Sequence, residues 1–301
     1  MAAIALLAWS CGPATPYRPP GFTPEELEWE RYHDAQREGR LDEAADGFAA
    51  MCDREDPYPR ACYDRARVLE EAGRLEEAVE AAARFVRDHP RNGLAPSAAT
   101  RIARIHRDLE TPKEGIARLE ELAADLEGTD VWDSVVYEVA RMFREDGDAD
   151  GELAALDRIR KKGRWGSQLW DNSIWRMIEI LDERGEAERR ARLLEEMVGA
   201  REESHLIASY ESPHFGPAML ELGKHHFERG DLEKARAIFM DLARWKTSRL
   251  RDDGRVWVAK VDLRMGEVRR ACRNLRKVLD RMPGANTRKE AAALFESSGC
   301  R

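Results

Sequence analysis

"LELGKHHFERGDLEKARAIFMDL" (220–242) places Leu232 two residues after Gly230, Ala235 five after it and Phe239 nine after it. The same spacing recurs in "EGRLDEAADGFAAM" (38–51), "AGRLEEAVEAAARF" (72–85) and "MGEVRRACRNLRKV" (265–278), around Gly39, Gly73 and Gly266, with Ala44, Ala78 and Ala271 in the alanine position. Weaker copies centre on Gly147 and Gly185. Another lies in "RIARIHRDLETPKEGIARLEEL" (101–122), with Gly115 where the others have alanine. Gly39 and Gly73 are separated by nearly the same interval as Gly230 and Gly266. Self-similarity at such a period marks stacked supersecondary units that bury a core only against their neighbours. The small residue lets two helices approach closely, and the large one fills the space between them.

This pattern resembles the tetratricopeptide repeat, a helix–turn–helix unit of about 34 residues. Pro90 and Pro283, each half a repeat beyond its glycine, stand where that family often ends its second helix. The resemblance implies an all-α, TPR-like α-solenoid of about seven helix hairpins between residues 25 and 283, with a closing helix near 286–297. Repeats one to five occupy 25–198 and repeats six and seven 217–285. A capping segment fills 286–301. Gly185 and Gly230 stand further apart than one period, and the excess falls in "GAREESHLIASYESPHFGP" (199–217), interrupted by Pro213 and Pro217. Residues 199–216 are therefore expected to form an irregular joint.

Of the 301 residues, 36% are charged and 43% hydrophobic, with a net charge of −8. The acidic balance argues against nucleic acid as partner. No apolar run approaches the ~20 residues that cross a bilayer as a helix. The short run "AAIALLAW" (2–9) before Ser10 and Cys11 resembles a bacterial lipoprotein signal, although Ala8 and Trp9 depart from that pattern. The resemblance implies cleavage after residue 10, acylation of Cys11 and a membrane tether. The segment 11–24, "CGPATPYRPPGFTP", holds five of the chain's 13 prolines and reads as a semi-rigid spacer at about 3.1 Å per residue. Gly12, rather than an aspartate, after the cysteine points to the periplasmic face of the outer membrane. The alternative is a cytoplasmic chain in which Cys11 is an ordinary thiol.

Four further cysteines form an even set, which suits disulfides in an oxidising compartment. Cys52 ends the second helix of the first hairpin, and Cys62 lies in the next helix beyond a short turn. Cys272 begins a second helix, to whose end an antiparallel closing helix would return Cys300. The expected pairs are Cys52–Cys62 and Cys272–Cys300, clamping both terminal repeats; buried free thiols are the alternative.

Catalytic signatures are absent: there is no G-x-S-x-G, H-E-x-x-H, G-x-x-x-x-G-K-[ST] or G-x-G-x-x-G. No cofactor, metal or small-molecule substrate is expected. His205, His214, His225 and His226 crowd one region, which keeps a metal or enzymatic role at the joint as a second alternative. The basic run "RIRKKGRWG" (158–166) reads as a solvated loop in preference to a lipid-contacting one.

In the repeat family, positions five and nine of each first helix face a concave groove. Here position five reads Trp29, Tyr63, Thr100, Tyr137, Trp175, Leu220 and Val256. Position nine reads His33, Arg67, Arg104, Arg141, Glu179, Lys224 and Lys260. Aromatic and arginine side chains are enriched in binding hot spots, and arginine pairs carboxylates in a bidentate manner. The candidate partner-binding residues are Trp29, His33, Tyr63, Arg67, Arg104, Tyr137, Arg141, Trp175, Lys224 and Lys260. They would hold a partner protein or peptide segment bearing acidic groups. The alternative is that these cations pair with nearby Glu70, Glu71, Asp108 and Glu145. The family's carboxylate-clamp version has Lys and Asn where this chain has Trp29 and His33. Together these features lead to a non-enzymatic scaffold for another envelope protein, with a cytoplasmic adaptor as the alternative.

Overall fold

The computed structural model describes residues 21–207, 212–282 and 286–301, including their side chains except those of 202–207. The expected signal segment, Cys11 and most of the proline-rich spacer lie outside the described residues, as do Pro283 and the side chain of His205. The chain divides into two compact units.

The first unit comprises the residues through Glu110 together with Ala124–Val131. It contains α1 (Pro24–Arg37), α2 (Leu41–Cys52), α3 (Pro59–Glu71), α4 (Leu75–Asp88) and α5 (Ala95–Asp108), and it includes the end of α6 (Pro112–Asp125). Helix α1 starts at a capping box. The Glu26 amide donates to Thr23 Oγ1 at 3.2 Å, and the Thr23 amide donates to Glu26 Oε2 at 2.7 Å. Pro24 occupies the first helical position, where its missing N–H costs nothing. Gly39 and Gly73 turn the first two hairpins with φ of 78° and 75°, a conformation that glycine adopts without a Cβ penalty. Ala44 and Ala78 are fully buried five residues later, and Phe48 and Ala82 nine later. The spacing read from the sequence is thus the register of the core. Cys52 and Cys62 are bonded across the α2–α3 turn, with Cα atoms 5.0 Å apart. The Tyr58 amide also donates to the Met51 carbonyl there, at 3.3 Å.

The second unit comprises Thr111–Ala123 and Trp132–Arg301. Most of α6 is followed by α7 (Trp132–Glu145), α8 (Ala149–Lys162), α9 (Trp170–Glu183), α10 (Ala187–Ile207), α11 (Phe215–Arg229) and α12 (Leu232–Arg244). The unit ends with α13 (Arg251–Arg264), α14 (Val268–Arg281) and α15 (Arg288–Ser297). Helix α13 is buried on two sides: Val258 and Val261 pack with Phe239 of α12, and Val256 and Ala259 with Leu275 of α14. Gly254 permits this approach, because a Cβ there would lie 2.7 Å from the Ala243 amide nitrogen. Cys272 and Cys300 are bonded with Cα atoms 5.5 Å apart, tying α14 to the end of the chain after α15.

Two buried aspartates near the starts of first helices accept hydrogen bonds from a hydroxyl one repeat later. Ser167 Oγ donates to Asp133 at 2.6 Å, and Thr287 Oγ1 donates to Asp252 at 3.0 Å. The joint is shorter than expected. Helix α10 continues through Gly199 to Ile207, and α11 begins at Phe215 with Pro217 inside its first turn. Pro217 fits there because the first-turn amides lack intrahelical partners.

The hairpin after α5 departs from its neighbours. Glu110 takes the left-handed conformation with φ of 56° where other hairpins have glycine, and Gly115 stands buried in the alanine position.

Candidate protein-binding faces

In the first unit, Asp64 on α3 is 6% exposed and organises the face expected to bind a partner. Trp29 Nε1 of α1 donates to Asp64 Oδ2 at 2.9 Å, and His33 Nε2 lies 3.1 Å from the same oxygen. Arg67 Nε donates to Asp64 Oδ1 at 3.1 Å, and its guanidinium also reaches Gln36 Oε1 at 2.8 Å. The Trp29 ring lies against His33 at 4.1 Å and carries the Arg60 guanidinium at 4.4 Å. A second knot forms around Glu70, which accepts from Arg104 at 2.7 Å and from the buried Arg101. The guanidinium of Arg101 sits 5.6 Å from the centre of the Tyr63 ring.

The second unit repeats this logic. Arg141 donates to both carboxylate oxygens of Glu138 at 3.0 Å beside Tyr137. Trp175 stacks on His214, with centroids 5.1 Å apart and planes 15° from parallel. His214 Nε2 lies 3.2 Å from Asn172 Oδ1, and burial pushes its imidazole below the ordinary histidine pKa. Lys224 and Arg190 each donate to Glu221 at 2.7 Å. Burial pushes the Glu221 carboxyl up, but these two hydrogen bonds outweigh it and hold the group below the ordinary glutamate range. Lys260 Nζ lies 3.9 Å above the Trp257 ring and 2.6 Å from Glu290.

Within each unit, the named aromatics and cations therefore sit on the first helices, each cation against a carboxylate of its own unit. The pairing partners differ from those the sequence singled out. Glu70 serves as expected, whereas Glu71 accepts from Gln36 at 2.5 Å and Arg141 takes Glu138. The residues overlooked were Asp64, Glu138 and Glu221, each three positions before its cation, and that i, i+3 spacing was readable in advance. Trp257 was also overlooked. Position five of that helix is Val256, which is fully buried, and the neighbouring tryptophan meets Lys260 instead.

Among the described histidines of this region, His225 and His226 lie ring to ring at 5.7 Å. His214 belongs to the Trp175 stack, and His226 lies 3.3 Å from Asp231. Among the described residues, no three His, Cys, Asp or Glu side chains are placed to hold a metal. A cleft of ≈ 230 Å³ is lined by Asp182, Arg190, Glu221, Lys224 and His225. It is below the ~300–1,000 Å³ of typical small-molecule sites, and its walls are charged where those sites are largely apolar. Three cations of the basic run meet carboxylates: Arg158 donates to Glu120 at 2.7 Å, Arg160 to Asp157 at 2.7 Å and to Glu196 at 2.9 Å, and Lys161 lies 2.8 Å from Asp157, while Lys162 lies 3.8 Å from the centre of the Trp132 ring.

A family model for the tetratricopeptide repeat matches residues 61–92, the span of α3 and α4 with the residues after them. No curated protein matches the chain. Among solved structures, the apo form of RapI is similar at a TM-score of 0.52 and 10% identity, over 92% of this chain and 82% of that one. A tetratricopeptide repeat protein from Parabacteroides merdae matches at 0.37 and 14%, over 91% and 98%. The Naa15/Naa10 complex bound to HypK-THB matches at 0.49 and 15%; there this chain spans 92% of itself and 39% of its counterpart. Fifteen helices and no strand among the described residues, the hairpin register, the matched repeat and the likeness to RapI identify the fold as a TPR-like α-solenoid.

Proposed function

We propose that this chain is a non-enzymatic scaffold whose first-helix faces bind segments of partner proteins. The carrying observation is that, within each unit, part-exposed first-helix cations are held by a neighbouring carboxylate: Arg67 by Asp64 and Arg104 by Glu70 in the first, Arg141 by Glu138 and Lys224 by Glu221 in the second. Arg67 and Arg141 keep about a third of their side-chain surface open, and Arg104 keeps 43%. Each retains donors for a ligand carboxylate or carbonyl. Internal pairing freezes their rotamers beforehand, which lowers the ordering cost of binding. The same pairing sets a condition on the ligand, whose acidic groups must add to existing ion pairs or displace them.

The setting proposed for this scaffold is the bacterial envelope, tethered through acylated Cys11 to the periplasmic face of the outer membrane. The apolar run, Cys11 and the proline-rich spacer support it, and two disulfides suit an oxidising compartment. Arg104→Glu combined with Arg141→Glu tests the binding faces. The double variant is expected to lose the partners that wild-type chain retains when crosslinked in the native host. An unchanged partner set overturns these faces as the recognition surface.

A further inference from the structure

Helix α14 carries charge unlike any other helix of the chain. Residues 244–301 hold sixteen Lys and Arg against seven Asp and Glu, in a protein whose net charge is −8. Along α14, Arg269, Arg273, Lys277 and Arg281 follow one another at intervals of four, so they share one face about 6 Å apart. Arg270 and Arg276 flank them, and all six are exposed. Asp280 is the one acid among them. The opposite face is core: Ala271, Leu275 and Val278 are fully buried.

Like charges at i, i+4 weaken a helix. Many arginines elsewhere meet carboxylates, as in Arg74 with Glu77 and Asp42, and Arg84 with Asp53 and Asp88. On α14, Arg270 approaches Glu267 at 3.6 Å, and Arg276 reaches the carbonyl of Arg301. Arg269, Arg273, Lys277 and Arg281 have no ion-pair or hydrogen-bond partner among the described residues. The result is a cationic stripe about 18 Å long that the fold itself leaves unneutralised.

We propose that this outer face of α14 docks on anionic lipid headgroups. Its composition selects that occupant. A protein interface needs an apolar or aromatic centre with charge at its rim, and the stripe has no such centre. Single-stranded nucleic acid needs aromatic platforms, and the one ring against these cations, Phe295 of α15, meets the flanking Arg276 at 5.6 Å and none of the four in the row. A DNA-reading helix must enter a groove, but α14 is packed against both α13 and α15. A row of cations on a shallow helix face suits a plane of headgroups, which offers charge without shape. The stripe acts independently of any acyl chain on Cys11.

The test uses the full chain carrying Cys11→Ser, so that acylation does not contribute. It is sedimented with phosphatidylcholine vesicles containing about one third phosphatidylglycerol, and with pure phosphatidylcholine. Binding is expected only to the anionic vesicles, with loss at about 1 M salt, where the screening length falls to ~3 Å. Arg269→Gln, Arg273→Gln and Lys277→Gln together should weaken it about a hundredfold, from roughly fivefold per cation. The three sites are exposed, so the thermal midpoint serves as the folding control. Arg269→Lys with Arg273→Lys should bind like the parent, because a headgroup plane reads charge; a protein partner held through guanidinium forks would be lost. The proposal is overturned if the triple glutamine variant binds anionic vesicles within twofold of the parent. It is equally overturned if duplex DNA or poly-glutamate binds through α14 more tightly than the vesicles do.

Discussion

Glu110 occupies a backbone conformation that its neighbours assign to glycine. A left-handed non-glycine residue costs about 1 kcal/mol, and here the chain places its glycine five positions later instead. Glu110→Gly should therefore raise the stability measured by urea unfolding by about 0.5–1 kcal/mol, an effect that glycine's greater unfolded-state entropy reduces only in part. His214 offers a second test at this scale. Burial against Trp175 holds its folded-state pKa below the unfolded value of ~6.5, so the unfolded chain binds the proton more readily. Stability from this site is present above pH ~6.5 and declines as the pH falls from there through the folded pKa. Trp175 fluorescence during unfolding should report that decline, and His214→Gln should flatten it. Asp64 shows how far one residue organises its surroundings, since Trp29, His33 and Arg67 all converge on its carboxylate.

At the scale of elements, the two disulfides act where the repeat pattern runs out of neighbours. Cys52–Cys62 closes a separation of 10 residues and Cys272–Cys300 one of 28. In the chain-entropy model these restrict the unfolded chain by about 3 and about 3.5 kcal/mol respectively. Cys272→Ser with Cys300→Ser should lower the stability of the second unit by about that larger amount. Helix α15 should then lose protection first in hydrogen exchange, because among residues of α15 itself only Ala291 is fully buried. The joint illustrates a limit of pattern reading. Gly199 suggests a stop, yet α10 passes through it to Ile207, since one glycine costs a helix only about 1 kcal/mol and packing supplies more.

For the whole molecule, the decisive quantity is the mass of the chain as its host makes it. Intact mass spectrometry without reductant should find a chain beginning at Cys11, heavier by its acyl groups and lighter by four hydrogens for the two bonds. An unprocessed chain with Cys52, Cys62, Cys272 and Cys300 reduced would remove the tether and the envelope from the proposed function, leaving the helical scaffold as it stands. Sequence by itself determined the hairpin count and the register of glycine, alanine and large apolar residue, because these follow from local periodicity. Ala44, Ala78, Ala235 and Ala271 are all fully buried for that reason. What only the tertiary structure decided is which charges answer which. Glu70 meets Arg101 and Arg104 from the following first helix, and Asp64 meets Trp29 and His33 from the preceding one. Arg269, Arg273, Lys277 and Arg281 of α14 meet no ion-pair or hydrogen-bond partner among the described residues. A side chain's charge and its i, i+3 partner are written in the sequence, but neutralisation between helices depends on groups a whole repeat away along the chain, and only packing sets those distances.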